Sequence, residues 1–188
     1  MSATHQVVIT LGSNIDKERN LPAAVRLLAE RANVIAVSQV YETPAVGTQA
    51  EQSSYFNAAI LLETGLSPAA LKDGLLSDVE SLLDRRRSAD KFAPRTIDLD
   101  IALYDREVLE YIPADGRPRH VPDPDLVRYA HIALPVADLL PDAVHPEVGD
   151  TLKSIADRLQ RSADNKKSVI RIRSEYDLRK LIANAHST

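Results

Sequence analysis

The chain has 188 residues and no cysteine, so disulfides, thiolate catalysis and cysteine metal sites are excluded, and the composition fits the cytoplasm. No apolar run approaches the roughly 20 residues that cross a bilayer, and no export-type apolar segment stands near Met1. Neither membrane insertion nor export is therefore expected. Positive charge is not in excess: 23 Lys and Arg face 27 Asp and Glu, a net charge of −4. That balance argues against a dedicated nucleic-acid or anionic-membrane binder and leaves small molecules as the expected partners of a monomer. Internal repeats and low-complexity tracts are absent. What remains, 44% hydrophobic and 27% charged residues, describes a globular domain with room for a full core.

The most informative stretch is Phe92-Ala93-Pro94-Arg95-Thr96-Ile97-Asp98-Leu99-Asp100-Ile101-Ala102-Leu103-Tyr104. From Thr96 it alternates, with Ile97, Leu99, Ile101 and Leu103 on one parity, the period of a half-buried strand. Asp98 and Asp100 then share the other face, their Cα atoms roughly 6.6 Å apart. Two carboxylates so placed repel unless a cation lies between them, and a hard ion such as Mg²⁺, which carries substrate phosphates as further ligands, suits them. Arg85, Arg86, Arg87, Lys91 and Arg95 lie just upstream and can hold several phosphates. An isolated pair of this kind reads more readily as the acidic solvent face of a strand. With the arginines and Pro94 attached, the pattern turns toward a metal–phosphate site.

Around this stretch the pattern predicts strands at 7–11, 34–41 and 55–62. Helices are predicted from a cap at Asn20, from Ser67-Pro68 through Leu82, over 125–133 and from Thr151 through Leu159. Loops are expected at 42–54 and 84–95, lengths that are often functional in a compact domain. A short strand is expected at Val108-Leu109, irregular chain over 112–124 and short turns over 135–146. The order β-α-β-β-α-β over 7–104 predicts an α+β, ferredoxin-like core with an antiparallel sheet, on which further helices pack. Residues 1–160 read as the main domain. Residues 161–188 read as an extension: a disordered link at 161–167, then a strand at 169–173 and a helix at 174–185.

Tyr55 and Asn57 share a strand face, offering a stacking ring and an amide that donates and accepts. They suit a heterocycle pocket, although a Tyr–Asn pair at a strand edge is an equally ordinary arrangement. Glu80 lies off the apolar stripe of its helix, where most glutamates are merely solvated.

In order and spacing, five pieces resemble the hydroxymethyl-dihydropterin pyrophosphokinase family. They are Leu11-Gly12-Ser13-Asn14, Tyr41-Glu42-Thr43-Pro44 with Gly47 and Gln49, Tyr55-Phe56-Asn57-Ala58-Ala59, Glu80 with Arg85, and Pro94 through Ile101. The resemblance covers about residues 7–160. It implies ATP as co-substrate and transfer of its terminal pyrophosphate to a pterin hydroxymethyl group, with release of AMP. It implies that Asp98 and Asp100 hold two Mg²⁺ ions, that Arg85 and Arg95 brace the transferring group, and that Glu80, Arg87 and Ile101 contact the nucleotide. Thr43, Pro44, Val46, Gly47, Tyr55 and Asn57 fall where the family builds its pterin pocket, and the two loops would close over the substrates.

Four positions depart from the family pattern. Phe92 stands for the usual lid tryptophan and can still stack. Asp123 stands for a phosphate-contacting histidine, and there it would repel phosphate unless metal-bound or turned away. Tyr129 holds the usual arginine position, with Arg128 beside it as a substitute nucleotide contact. His131 replaces a phenylalanine that would sandwich the pterin against Tyr55. The departures leave room for a paralogue acting on a related pterin or another hydroxymethyl heterocycle. A non-catalytic nucleotide-binding module is disfavoured by retention of Arg85, Arg95, Asp98 and Asp100.

Overall fold

The computed structural model of the chain describes residues 3–45, 53–86, 93–165 and 169–185. Val7, Ile9 and Leu11 alternate with Val8 and Thr10 along β1 (His5–Ser13), an interior strand of the main sheet. The chain then forms α1 (Lys17–Ala29), β2 (Asn33–Val37), β3 (Tyr41–Thr43) and β4 (Tyr55–Thr64). One continuous helical run follows, made of α2 (Pro68–Leu71), a π-helical turn (Lys72–Leu76) and α3 (Ser77–Leu82). β5 (Asp98–Tyr104) closes the core on the far side of β1. Every neighbouring pair is antiparallel, with β4 between β1 and both β2 and β3. This is the expected α+β, ferredoxin-like arrangement.

Beyond β5 come a hairpin of β6 (Leu109–Tyr111) and β7 (Arg119–Val121), a 3-10 turn (Pro124–Val127), α4 (Ala130–Leu139) and α5 (Leu152–Asn165). β8 (Arg171–Ile172) extends the sheet beside β3, and α6 (Arg179–Ala185) packs against α1 and β2. The sheet is thus covered on both faces. Ile9, Phe56, Ile60 and Leu99 meet Leu21, Leu28 and Val79 on one side, while Val8, Ala59 and Leu103 meet Leu126, Val136 and Ile155 on the other. Among the described residues, no helix is long and apolar enough to cross a membrane.

Several boundaries differ from the sequence expectation for physical reasons. The strand expected over 34–41 is split. Ser38 uses its Oγ to accept the Ala59 N–H (2.8 Å), so the ladder continues through a side chain where the strand bends. Asn20 lies inside α1 rather than at its cap; its amide donates to the Ile15 carbonyl (2.8 Å), and Asp16, with φ 42°, precedes the helix. The alternation of β5 breaks at a β-bulge: Val8 pairs with Leu103 but Ile9 with Ile101, so Ala102 is extra. Leu103 therefore joins the second core, and Tyr104 takes its place in the first. The stretch 112–124 contains β7 rather than only irregular chain. The helix expected at 125–133 begins at Ala130 and runs through Pro135 to Leu139, because the extended backbone of Tyr129 separates it from the 3-10 turn. Residues 161–165 continue α5 instead of forming a disordered link, and the last helix begins at Arg179 rather than Ser174.

Candidate active site

Parity places Asp98 and Asp100 on the sheet face that α4 covers, and the register sets Asp98 opposite Gly12, which in turn pairs with Asn57. Gly12 has no side chain, so the floor between the carboxylate and the amide stays open. The turn after β1 works on the approach to β5. Asn14 accepts the Arg95 N–H through Oδ1 (2.7 Å), the N–H groups of Asn14 and Ile15 donate to the Arg95 carbonyl (3.1 and 3.2 Å), and Ser13 Oγ donates to the Thr96 carbonyl (2.5 Å). The Leu11–Asn14 piece is thereby a clamp that aims Arg95. At the end of α3, Asp84 takes a left-handed conformation (φ 55°) and the Arg85 N–H returns to the Glu80 carbonyl (2.9 Å), which carries Arg85 toward the same strand. Arg85 and Arg95 meet at Asp98: Arg85 Nη2 lies 3.4 Å from Oδ1, and Arg95 Nη1 forms a close ion pair with Oδ2.

Two cavities share this wall. One, of about 400 Å³, is bounded by Thr43, Pro44, Tyr55 and Asn57 on one side and by Tyr129 and His131 on the other. The second, of about 640 Å³, is bounded by Lys72, Glu80, Arg85, Ile101, Arg119 and His120. Arg95, Asp98, Asp100 and Asp123 line both. The smaller cavity has the proportions of a flat heterocycle site, with rings on opposite walls and polar groups, Asn57 and the shared Arg95, Asp98, Asp100 and Asp123, along its floor and edge. Asn57 Nδ2 donates to the Tyr41 carbonyl (3.2 Å) and Thr43 Oγ1 (2.9 Å), so its carbonyl oxygen is what it can offer a ligand. Its expected donor capacity is thus already used within the fold. Burial holds the His131 imidazole below its ordinary value despite the nearby Asp125, which keeps it a neutral ring for stacking.

The nucleotide-sized cavity contains a cation that the sequence reading missed. Lys72 is only 4% exposed; its Nζ reaches Glu80 Oε1 and Asp100 Oδ1, each at 3.2 Å, and makes a short bond to the Leu99 carbonyl. Glu80 also accepts the Leu99 N–H (2.9 Å). Burial raises the Glu80 carboxyl, while the carboxylates around Lys72 outweigh desolvation and keep the ammonium charged. At Asp100 desolvation opposes the charge, yet Lys72, then Arg119 and Arg95, hold the carboxyl below its ordinary range. A lysine on the apolar stripe with Leu76 and Val79 was the available sequence signal. Arg119 was hidden in a stretch without periodicity.

The family model for 7,8-dihydro-6-hydroxymethylpterin-pyrophosphokinase (HPPK) matches residues 8–141. The chain belongs to the HPPK family. It is 37% identical over 134 residues to the 2-amino-4-hydroxy-6-hydroxymethyldihydropteridine pyrophosphokinase of Bacillus subtilis, covering 70% of this chain and 75% of that protein. The enzyme of the same name from Pseudomonas aeruginosa is 33% identical over 147 residues, 76% of this chain and 85% of that one. The folic acid synthesis protein fol1 of Schizosaccharomyces pombe is 32% identical over 180 residues, and this chain spans 23% of its length. A solved structure of Plasmodium falciparum HPPK-DHPS aligns with a TM-score of 0.71 at 12% identity, over 88% of this chain and 47% of that one, a likeness of fold.

Against the HPPK expectations, the structure brings Glu80, Arg85, Arg95, Asp98, Asp100 and Ile101 to one cavity and Thr43, Pro44, Tyr55, Asn57 and His131 to the other. Arg128 is not brought in: its side chain is 65% exposed and pairs with Asp125 at 3.5 Å. Val46, Gly47, Arg87 and Phe92 lie outside the described residues. Asp123 is neither turned away nor an ordinary carboxylate. It lines both cavities, accepts the Asp125 N–H (2.9 Å), and burial, with Asp100 adding to it, raises its pKa to about 6. A pKa of about 6 leaves the carboxyl mostly ionised at neutral pH, so the repulsion expected of an acidic group is relieved by protonation only in mildly acidic solution.

Proposed function

We propose that this chain transfers the β,γ-pyrophosphoryl group of ATP to the hydroxymethyl oxygen of 6-hydroxymethyl-7,8-dihydropterin and releases AMP, a step of folate biosynthesis. Beside membership of the HPPK family, the observation that carries the reading is the shared wall: two cavities of different character meet at Asp98, Asp100 and Arg95. The pterin lies between Tyr55 and His131, with Asn57 at its edge. ATP lies along Lys72, Glu80 and Ile101, its phosphates directed to Arg85, Arg95 and Arg119. The hydroxymethyl oxygen attacks the β-phosphorus, and the bond from that phosphorus to the oxygen bridging the α-phosphate breaks as AMP leaves.

The carboxylate pair suits Mg²⁺, and we propose that it holds two ions. Asp98 and Asp100 offer carboxylate oxygens on one face, and a pair of carboxylates with phosphates and water as the other ligands is the usual way this ion is held. When bound, the ions neutralise charge on the phosphates and on the leaving oxygen. Arg85 and Arg95, already ion-paired to Asp98, are placed to stabilise the same charge. We further propose that residues 1–160 carry the catalytic machinery, that 161–188 are an addition to it, and that the protein is a cytoplasmic monomer without a nucleic-acid partner.

The test is product identity. Incubated with ATP, Mg²⁺ and hydroxymethyl-dihydropterin, the protein is expected to form AMP and pterin diphosphate in equal amounts by ion-exchange chromatography. Formation of ADP, or AMP without a pterin product, contradicts the assignment.

A further inference from the structure

The chain continues beyond the segment that the family model matches, and its later part folds back onto the β3 edge of the main sheet. β8 pairs with β3, Tyr41 opposite Ile172 and Glu42 opposite Arg171, and the Arg173 N–H donates to the Val40 carbonyl (2.9 Å). The Arg173 guanidinium then reaches Glu42 Oε2 at 2.5 Å and Glu175 Oε1 at 2.7 Å, and lies 5.2 Å over the Phe56 ring. Tyr176 meets Phe56 edge-on at 5.1 Å, and Leu178 is 3% exposed in the main core. From the other side, Lys17 holds the second oxygen of Glu42 at 2.8 Å.

The register gives these contacts a consequence at the site. Glu42 and Phe56 face each other in the β3–β4 ladder, and their neighbours Thr43, Tyr55 and Asn57 point to the opposite face, where they wall the smaller cavity. β3 is only three residues long, a length that holds its own position poorly as a free edge. We propose that residues 169–185 are a strap that preorganises the pterin pocket from behind, with Arg173 its positioning residue acting through Glu42 on Thr43 and Asn57. The proposal rests on the pterin reading of the smaller cavity. It makes the extension a determinant of affinity for one substrate: ATP binds on the other side of β5, away from β3, and so escapes its influence.

The test uses Arg173→Gln, Arg173→Lys and the unaltered full-length chain. Preorganisation is lost from one substrate only, so Arg173→Gln is expected to raise KM for hydroxymethyl-dihydropterin about tenfold and leave Kd for a non-hydrolysable ATP analogue within about twofold. Arg173→Lys, which keeps the charge opposite Glu42, is expected to recover part of the loss. Hydrogen exchange without any ligand supplies the second arm: amides of Tyr41, Thr43 and Asn57, which pair across the β3–β4 ladder, lose protection in Arg173→Gln, whatever the pocket binds. Unchanged protection there, or equal weakening of both substrates, overturns the strap. If the unaltered protein fails to bind the pterin while the exchange arm behaves as expected, the functional reading fails and the positioning role stands.

Discussion

Asp123 shows how burial changes the titration of a single side chain. Its folded pKa, about 6, lies above the ordinary carboxylate value, so the native state holds the proton more tightly than the unfolded chain. The resulting stabilisation is complete below about pH 4 and is lost as pH rises through about 6. Asp123→Asn keeps an acceptor for the Asp125 N–H and removes the buried charge. That variant is expected to be more stable than the parent by about 1–2 kcal/mol at pH 8, allowing for partial solvent access, with no gain near pH 4. Urea unfolding at the two pH values measures the difference; an equal effect at both contradicts the shift. Asp98, Asp100, Tyr55 and Asn57 were legible in the sequence because strand parity alone fixes a shared face. Lys72 was not recognised, since a lysine on a helix is ordinarily solvated and only its stripe-mates Leu76 and Val79 marked it as buried.

At the scale of elements, β5 is the piece on which the site depends, and its chemistry divides by residue. Removing either carboxylate, as Asp98→Asn or Asp100→Asn, is expected to lower turnover at least about 1000-fold with the fold retained by circular dichroism. Arg95→Ala is expected to lower kcat about 100-fold or more while changing the Kd of an ATP analogue much less. The reverse pattern makes Arg95 a binding residue. The long regular strands β1, β4 and β5 and the helix beginning at Ser67 could be read from period alone. What could not be read depended on long-range bonding. The Ser38 hydroxyl splits one expected strand against Ala59, and the bulge at Ala102 moves Leu103 to the other face. β7 is defined by its partner β6 more than by any pattern of its own.

For the whole molecule, the central claim is geometric: a sheet covered on both faces presents two cavities that share Arg95, Asp98 and Asp100. An arrangement of this kind serves direct transfer between two bound substrates, with catalysis resting on positioning and charge stabilisation. The βαββαβ order made the fold legible early and the resemblance already set His131 across from Tyr55, whereas Tyr129, expected at a nucleotide-contacting position, is seen to line the smaller cavity only once α4 has packed. The most direct measurement follows the atom under attack. With ATP labelled at the β-phosphorus, Mg²⁺ and hydroxymethyl-dihydropterin, the account predicts that the label moves into the pterin product one-for-one with unlabelled AMP. Label that remains with the nucleotide as ADP contradicts it.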